Sequence, residues 1–553
     1  MRFSFQSGRV PLSAGDWLIL AGLGIIATVI GYWFLASVSL RATTLVPARG
    51  GTLTEGIVGT PRFINPVLAI SDSDRDMTRL VFSGLMRTGP DGTLVPDLAE
   101  RYSISEDGKA YTFTIHRDAL FHDGTPVTAE AVQYTINLIQ DPAVKSPKRA
   151  NWEGVVVTVD DPQTITFTLK EPYAPFLQNT DLGILPKHLW KDVRAEELPF
   201  SKLNVEPVGA GPYRVEKLTT TSAGIPSALS LVQFSKARTR AYISRLIFTF
   251  YPDTTALETA VIKNGALGAH SITPPAGTGQ TVHEAILGRV FSVFFNQNQN
   301  NLFASKAVRQ ALDAALDKNQ IVGTLIGGYG SPAAGPLPQD SIVEVPDDTS
   351  LDSARAIIEK DGWKLGDDGV YAKTVKKSTT RLAFTLTTGT APELKRAGEL
   401  VAEAWRAFGA DVTVQYFDQA DLQQNVIRPR KYDALLFGQV IGREADLFAF
   451  WDSSQRNDPG LNIALYTNSS VDTWLREART TDDPKKSAEL IQKIVRMITD
   501  EAAAIFLYTP HFVYLTDPRL QGVTLGTIVT PADRFNTIPF WYLETERVWP
   551  FFN

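Results

Sequence analysis

Cysteine is absent from the 553 residues, which rules out disulfides, thiolate metal sites, thiol catalysis and the lipid-modified cysteine that anchors many exported proteins. Histidine is scarce. His116, His122, His188, His270, His283 and His511 include no i, i+4 pair of the kind that holds zinc on a helix, so isolated structural or solvent-facing roles are expected. Charge of one sign is concentrated nowhere. With a net charge of −6 and no Lys/Arg-rich block, the counterion-release binding that nucleic acids require has no footing. No G-x-S-x-G elbow is present. Gly22-Leu23-Gly24 falls inside an apolar run, and Gly209-Ala210-Gly211 leads into Pro212 without a third glycine, so neither makes a phosphate loop. The acidic pairs Glu106-Asp107, Asp160-Asp161, Asp347-Asp348 and Asp482-Asp483 sit in hydrophilic, turn-like contexts and read as solvated surface. Asp72-Ser73-Asp74 lacks the glycine and the closing glutamate of a calcium loop. The sequence predicts neither an enzyme nor a metal or cofactor site.

What is present is a long, ordinary globular composition, 44% hydrophobic and 21% charged. That length exceeds the roughly 250 to 300 residues at which a single core stops growing, so two or three lobes with room for a cleft are expected. Ahead of the body, Trp17–Leu40 is free of charge and bounded by Asp16 and Arg41. The run exceeds the about 20 apolar residues that cross a bilayer and the roughly 7 to 15 of a signal-peptide core. An uncleaved transmembrane anchor over 17–40 is therefore expected, although Ser37 and Ser39 would permit cleavage. Arg2 and Arg9 before the run balance Arg41 and Arg49 after it, which leaves its orientation open. Residues 1–16 read as a tail and 41–50 as a tether.

Alternating apolar residues predict half-buried strands at Ala110–His116 and Thr164–Leu169. Between them, Thr128–Ile139 has helical spacing, with Thr128 as N-cap and Asp141-Pro142 as stop. Helices are also expected at Ser305–Leu316, Ser353–Lys360, Glu393–Phe408 and Ser487–Thr499, with a strand at Asp411–Tyr416. Gly327–Pro338 reads as a structured loop.

Several segments, in order, resemble one family. They are Gly51–Glu55 (GTLTE), Asn65-Pro66, Val81–Leu85 (VFSGL), Leu94–Glu100 (LVPDLAE), Tyr111–Val132 with its F-x-D-G-x-P-x-T-A turn, Leu185–His188 (LPKH), Val208–Val215 (VGAGPYRV), Ala307–Leu312 (AVRQAL), Gly362-Trp363, Tyr432-Asp433 and Ala504–Leu507. From residue 50 to the end the chain looks like the extracytoplasmic solute-binding proteins of peptide and nickel ABC importers. The resemblance implies an α/β, two-lobed, three-domain periplasmic-binding-protein-like fold. Domain I would comprise 51–84, 205–289 and 526–553, domain II 85–204, and domain III, the second lobe, 290–525. It also implies a monomer, non-catalytic capture of a peptide by hinge closure, and delivery to importer membrane subunits. The body would stand outside the cytoplasm, in the periplasm or at the cell surface, with 17–40 in the lipid bilayer. A nickel chelate, an oligosaccharide, or a sensor role without transport are the alternatives.

Peptide binders of this kind pair the ligand backbone with their own. By position, the matching stretches are Ile70–Ser73, hence Ser71, Asp72 and Ser73, and Gly438–Gly442, hence Gly438, Gln439, Val440 and Gly442. Where such proteins often carry an amine-binding aspartate, counting from Asp433 places Gly442. Glu444 and Asp446 are candidate substitutes, and His511 is a further cleft candidate. Tyr514, Arg428, Arg430, Trp451 and Trp474 are weaker ones.

Overall fold

The computed structural model describes residues 13–89, 92–270, 274–275, 277, 279–338, 350–442, 445–481 and 483–549. Residues 1–12, Asp347-Asp348, Glu444 and Asp482 lie outside them. The apolar run forms one helix, Ala14–Ala42. Through Phe34 none of it is buried against the body, and it is long and apolar enough to cross a membrane. Trp17, Leu23, Ile30 and Trp33 all stand exposed, a surface that water disfavours.

The expected tether takes a different form. Thr44–Ala48 is a strand paired antiparallel with Glu544–Val548, Thr44 opposite Val548 and Ala48 opposite Glu544. After Arg49 alone, the strand Gly50–Val58 begins. Ladder hydrogen bonds use the backbone groups that a linker would leave to water, so paired structure joins the helix to the body.

Among the described residues the largest sheet has 12 strands, and both lobes share it. In the first lobe, Gly50–Val58 runs parallel to Ile243–Tyr251, which continues antiparallel through Pro226–Gln233 to Tyr213–Thr220. In the second, Ala383–Gly389 lies parallel to Asp411–Phe417 and Ala434–Val440, and the latter pairs antiparallel with Arg289–Phe295. One strand, Ala504–Thr516, joins the halves. Its first part pairs with Arg289–Phe295 and its last, from His511, with Thr281–Ile286. At about 3.4 Å per residue such a strand is long enough to traverse both lobes. The return to the first domain thus falls within this strand, near Thr509–His511, and not at residue 526 as the resemblance implied. The other crossing is Leu287–Arg289. Leu53, Met77, Phe113, Trp190 and Trp541 belong to the first lobe's core; Phe295, Leu386 and Trp405, with Trp451 and Phe506, belong to the second's.

An antiparallel sheet of Ala99–Ile104, Ala110–Ile115, Thr164–Thr168 and Val156–Asp161 completes the first lobe. Tyr111, Phe113 and Ile115 are buried, as the alternation predicts. The helix Ala129–Gln140 follows Thr128, whose side chain makes no capping bond; Ala129 N instead donates to Pro162 O at 2.9 Å. The helices Lys306–Ala314, Leu351–Lys360, Pro392–Phe408 and Pro484–Asp500 stand close to their expected bounds.

The two most distinctive sequence motifs lock together. His122 Nδ1 accepts from Gly209 N at 3.2 Å, and Nε2 stands 3.1 Å from Gly211 O. Gly209 also lies against the end of the helix Asp72–Val81, where a Cβ would come 2.0 Å from Val81 O. Only glycine permits that approach.

Candidate ligand cleft

A cleft of about 620 Å³ opens between the lobes, over the crossing strand at Pro510–Val513. The first lobe contributes Asp72, Arg75, Lys148 and Thr530, and the second contributes Arg289, Tyr329, Glu393 and Val440. Asp72 pairs with Arg75 at 3.2 Å. Arg289 and Lys148 make no side-chain ion pair to the described residues. Glu393 accepts from Tyr508 Oη at 2.9 Å. Burial raises the Tyr508 pKa, and the Glu393 carboxylate raises it further, so the phenol remains a donor. Both signs of charge therefore face one space.

The strand Ala434–Val440 supplies the second element of the site. One edge is paired along its length with Arg289–Phe295. On the other, Ala434 and Leu435 pair with Ala383–Gly389 and Leu436 O accepts from Thr388 Oγ1. Beyond Leu436 no strand lies on that edge among the described residues. Gly438 is required by packing: a Cβ there would stand 2.8 Å from the Phe291 ring, itself stacked on Tyr508 with centroids 4.8 Å apart.

Of the residues singled out from sequence, Asp72, Val440 and His511 line the cleft. His511 is held there from both sides, Nδ1 by Glu284 at 3.1 Å and Nε2 by Ser331 at 3.0 Å. Ile70–Ser73 is not an extended stretch. Ser71 caps the helix Asp72–Val81, Ile70 N and Ser71 N point to Asp74 Oδ2, and Ser71 O accepts from Arg75 N. Ile70 N and both backbone groups of Ser71 are thereby committed to the helix's first turn, and Ser73 is buried. Gln439 turns away from Val440, as strand alternation requires, and is buried with its amide nitrogen unpartnered. Gly442 follows the strand in the open. Glu444 lies outside the described residues.

Asp446 is not free for a ligand. It pairs with Arg479 at 3.2 Å and accepts from Tyr173 Oη, in the opposite lobe, at 3.3 Å. The Arg479 guanidinium lies 4.7 Å from the Tyr173 ring centroid and 4.4 Å from that of Phe448. Arg430 holds the carbonyls of Arg456 and Gly460, Arg428 pairs with Asp458, Trp451 is core, and Trp474 packs against that core. Tyr514 donates to buried Glu55, whose other oxygen meets Arg534. Arg534 also pairs with Asp76 at 2.8 Å. Burial alone would raise the Asp76 pKa, but Arg534 and His270 hold it at about 2. This network fixes the helix that presents Asp72 and Arg75. Lys148, Arg289 and Glu393 were missed from sequence because no local pattern marks residues that only the tertiary fold brings together.

Comparison with known proteins agrees with this architecture. The profile described as "Bacterial extracellular solute-binding proteins, family 5 Middle" matches residues 93–459. Protein XP55 of Streptomyces lividans is 29% identical over 486 residues, covering 85% of each chain. Oligopeptide-binding protein AppA of Bacillus subtilis is 25% identical over 505 residues, 86% of this chain and 89% of its own. The solved structure of AppA with a nonapeptide superposes with a TM-score of 0.67 at 24% identity, covering 90% of this chain and 100% of that one. NikZ of Campylobacter jejuni, solved with Ni(L-His), gives 0.67 at 25% identity, covering 89% and 99%.

Proposed function

The chain belongs to the bacterial extracellular solute-binding proteins of family 5, and from that premise we propose that it captures a peptide in the interlobe cleft and delivers it to the membrane subunits of an ABC importer. Closure turns about the crossings at Leu287–Arg289 and Thr509–His511, and the N-terminal helix holds a monomeric body at the outer face of a bilayer. The family's members bind solutes for import and are not enzymes, and the relative AppA is named for oligopeptides.

The observation that carries the peptide reading is that both charge signs line a cleft which the open-edged strand reaches at Val440. A peptide presents an amine, a carboxylate and a backbone that forms ladders. Its amine would meet Glu393 or Asp72, its carboxylate Arg289 or Lys148, and its backbone the free edge from Phe437 to Val440. A ligand touching both lobes stabilises the closed state by its differential affinity for it.

Calorimetry with the full chain and defined peptide pools tests this reading. Saturable binding is expected, with Glu393→Gln and Arg289→Gln each weakening it by about tenfold or more, the loss of one charge-assisted bond. Binding of nickel–histidine or an oligosaccharide in place of peptide would overturn the peptide assignment. Failure to bind any of these would overturn solute capture.

A further inference from the structure

We infer that the C-terminal strand end, with Trp549 and its neighbours Leu45 and Arg547, is a second membrane contact that seats the body on the lipid headgroups beside the N-terminal helix. The inference rests on the reading of that helix as a bilayer anchor. Thr44 lies two residues beyond the helix end at Ala42 and opposite Val548, and paired strands stand about 5 Å apart. The chain's last segment is thus delivered to the place where the helix enters the body. The charge-free run ends at Arg41, one residue before the helix end at Ala42, and a charged residue is costly in the hydrocarbon core, so with that run in the bilayer the last turn lies at headgroup depth.

What the strands present there suits that depth. Leu45 and Arg547 are register partners and share a face; Trp549 follows directly on the strand's last residue, Val548. Leu45 is 60% exposed and Trp549 42% exposed, unfavourable in water and without a covering element among the described residues. Tryptophan is enriched at the membrane–water boundary, where its ring is apolar and its N–H wet. Arg547, which donates to Thr43 Oγ1 at 3.4 Å, brings a positive charge to the patch beside the acidic Glu544 and Glu546 of the same strand. Because the strand Gly50–Val58 follows after one residue, the body has no slack by which to stand away from the bilayer.

The absence of cysteine makes the test clean, since one engineered thiol gives one label. Full-length Leu23→Cys, Leu45→Cys, Trp549→Cys and Ser378→Cys, the last on an exposed strand of the second lobe, are labelled with an environment-sensitive fluorophore. They are reconstituted in phosphatidylcholine vesicles with phosphatidylglycerol and probed with headgroup-level lipid quenchers and aqueous iodide. Labels at 45 and 549 should lose most of their fluorescence to the lipid quencher and resist iodide, while the label at 378 does the reverse. Trp549→Ser should reduce the lipid quenching at 45. If the label at 23 is quenched by lipid but those at 45 and 549 behave like 378, the second contact is refuted and the anchor stands. If the label at 23 is also reached by iodide and not by lipid, the anchor reading falls and this inference with it.

Discussion

A carboxylate at position 442 would project into open space, since a Cβ on Gly442 would meet no atom within 4 Å. If the amine of a bound peptide reaches past the cleft wall at Val440 to this position, Gly442→Asp adds a charge-assisted bond of about 1.5 kcal/mol. Affinity for a free-amine peptide should then rise about tenfold, with no gain for the same peptide N-acetylated. Titration of both forms checks this; equal gains, or none, would leave the amine to Glu393. Single residues were the hardest features to read from sequence. Ser71 was legible in principle: Ser71-x-x-Asp74 ahead of Met77, Leu80 and Val81 is a capping-box pattern, and the structure forms it. Arg289 and Glu393 carry no such signal. Their role arises where the chain crosses between lobes, and neighbouring sequence does not encode that meeting.

At the scale of elements, the lock between the F-x-D-G turn and the V-G-A-G-P passage carries its own pH dependence. Burial, with a smaller push from the Arg214 charge, lowers the His122 pKa to about 4, against about 6.5 in an unfolded chain, and the neutral ring is the form whose Nδ1 can accept from Gly209 N. A depressed value means that the folded state favours neutral imidazole. That contribution is complete above about pH 6.5 and is lost progressively as the pH falls toward 4, up to about 3 kcal/mol. The thermal midpoint should therefore fall more steeply over that window in the unmodified chain than in His122→Gln, as scanning calorimetry would read; parallel curves would sink the assignment. These motifs were legible because turn chemistry and strand alternation are local. The strand Thr44–Ala48 was not, because its partner Glu544–Val548 lies at the other end of the chain and five residues are too short to declare a period.

For the whole molecule, the sequence conveyed the two-lobed architecture, while a contact between the lobes outside the cleft walls emerged only from the folded chain. Tyr173 on the first lobe meets Asp446 and Arg479 on the second. On the proposed hinge closure, such a contact forms only when the lobes approach and would bias the open–closed balance whatever occupies the cleft. A partly exposed ion pair with one cation–π contact contributes about 1 kcal/mol, a several-fold shift in population. Arg479→Ala removes both while leaving the cleft walls untouched. Spin labels at Glu100→Cys and Ser378→Cys, exposed sites on opposite lobes, should then report a larger share of long distances without peptide, and the same short distance as the unmodified chain at saturating peptide. Apparent affinity should weaken by the lost fraction of closing-competent molecules. An unchanged distance distribution in the empty protein would show that Tyr173, Asp446 and Arg479 bridge the lobes without controlling their approach, and would leave closure to the ligand alone.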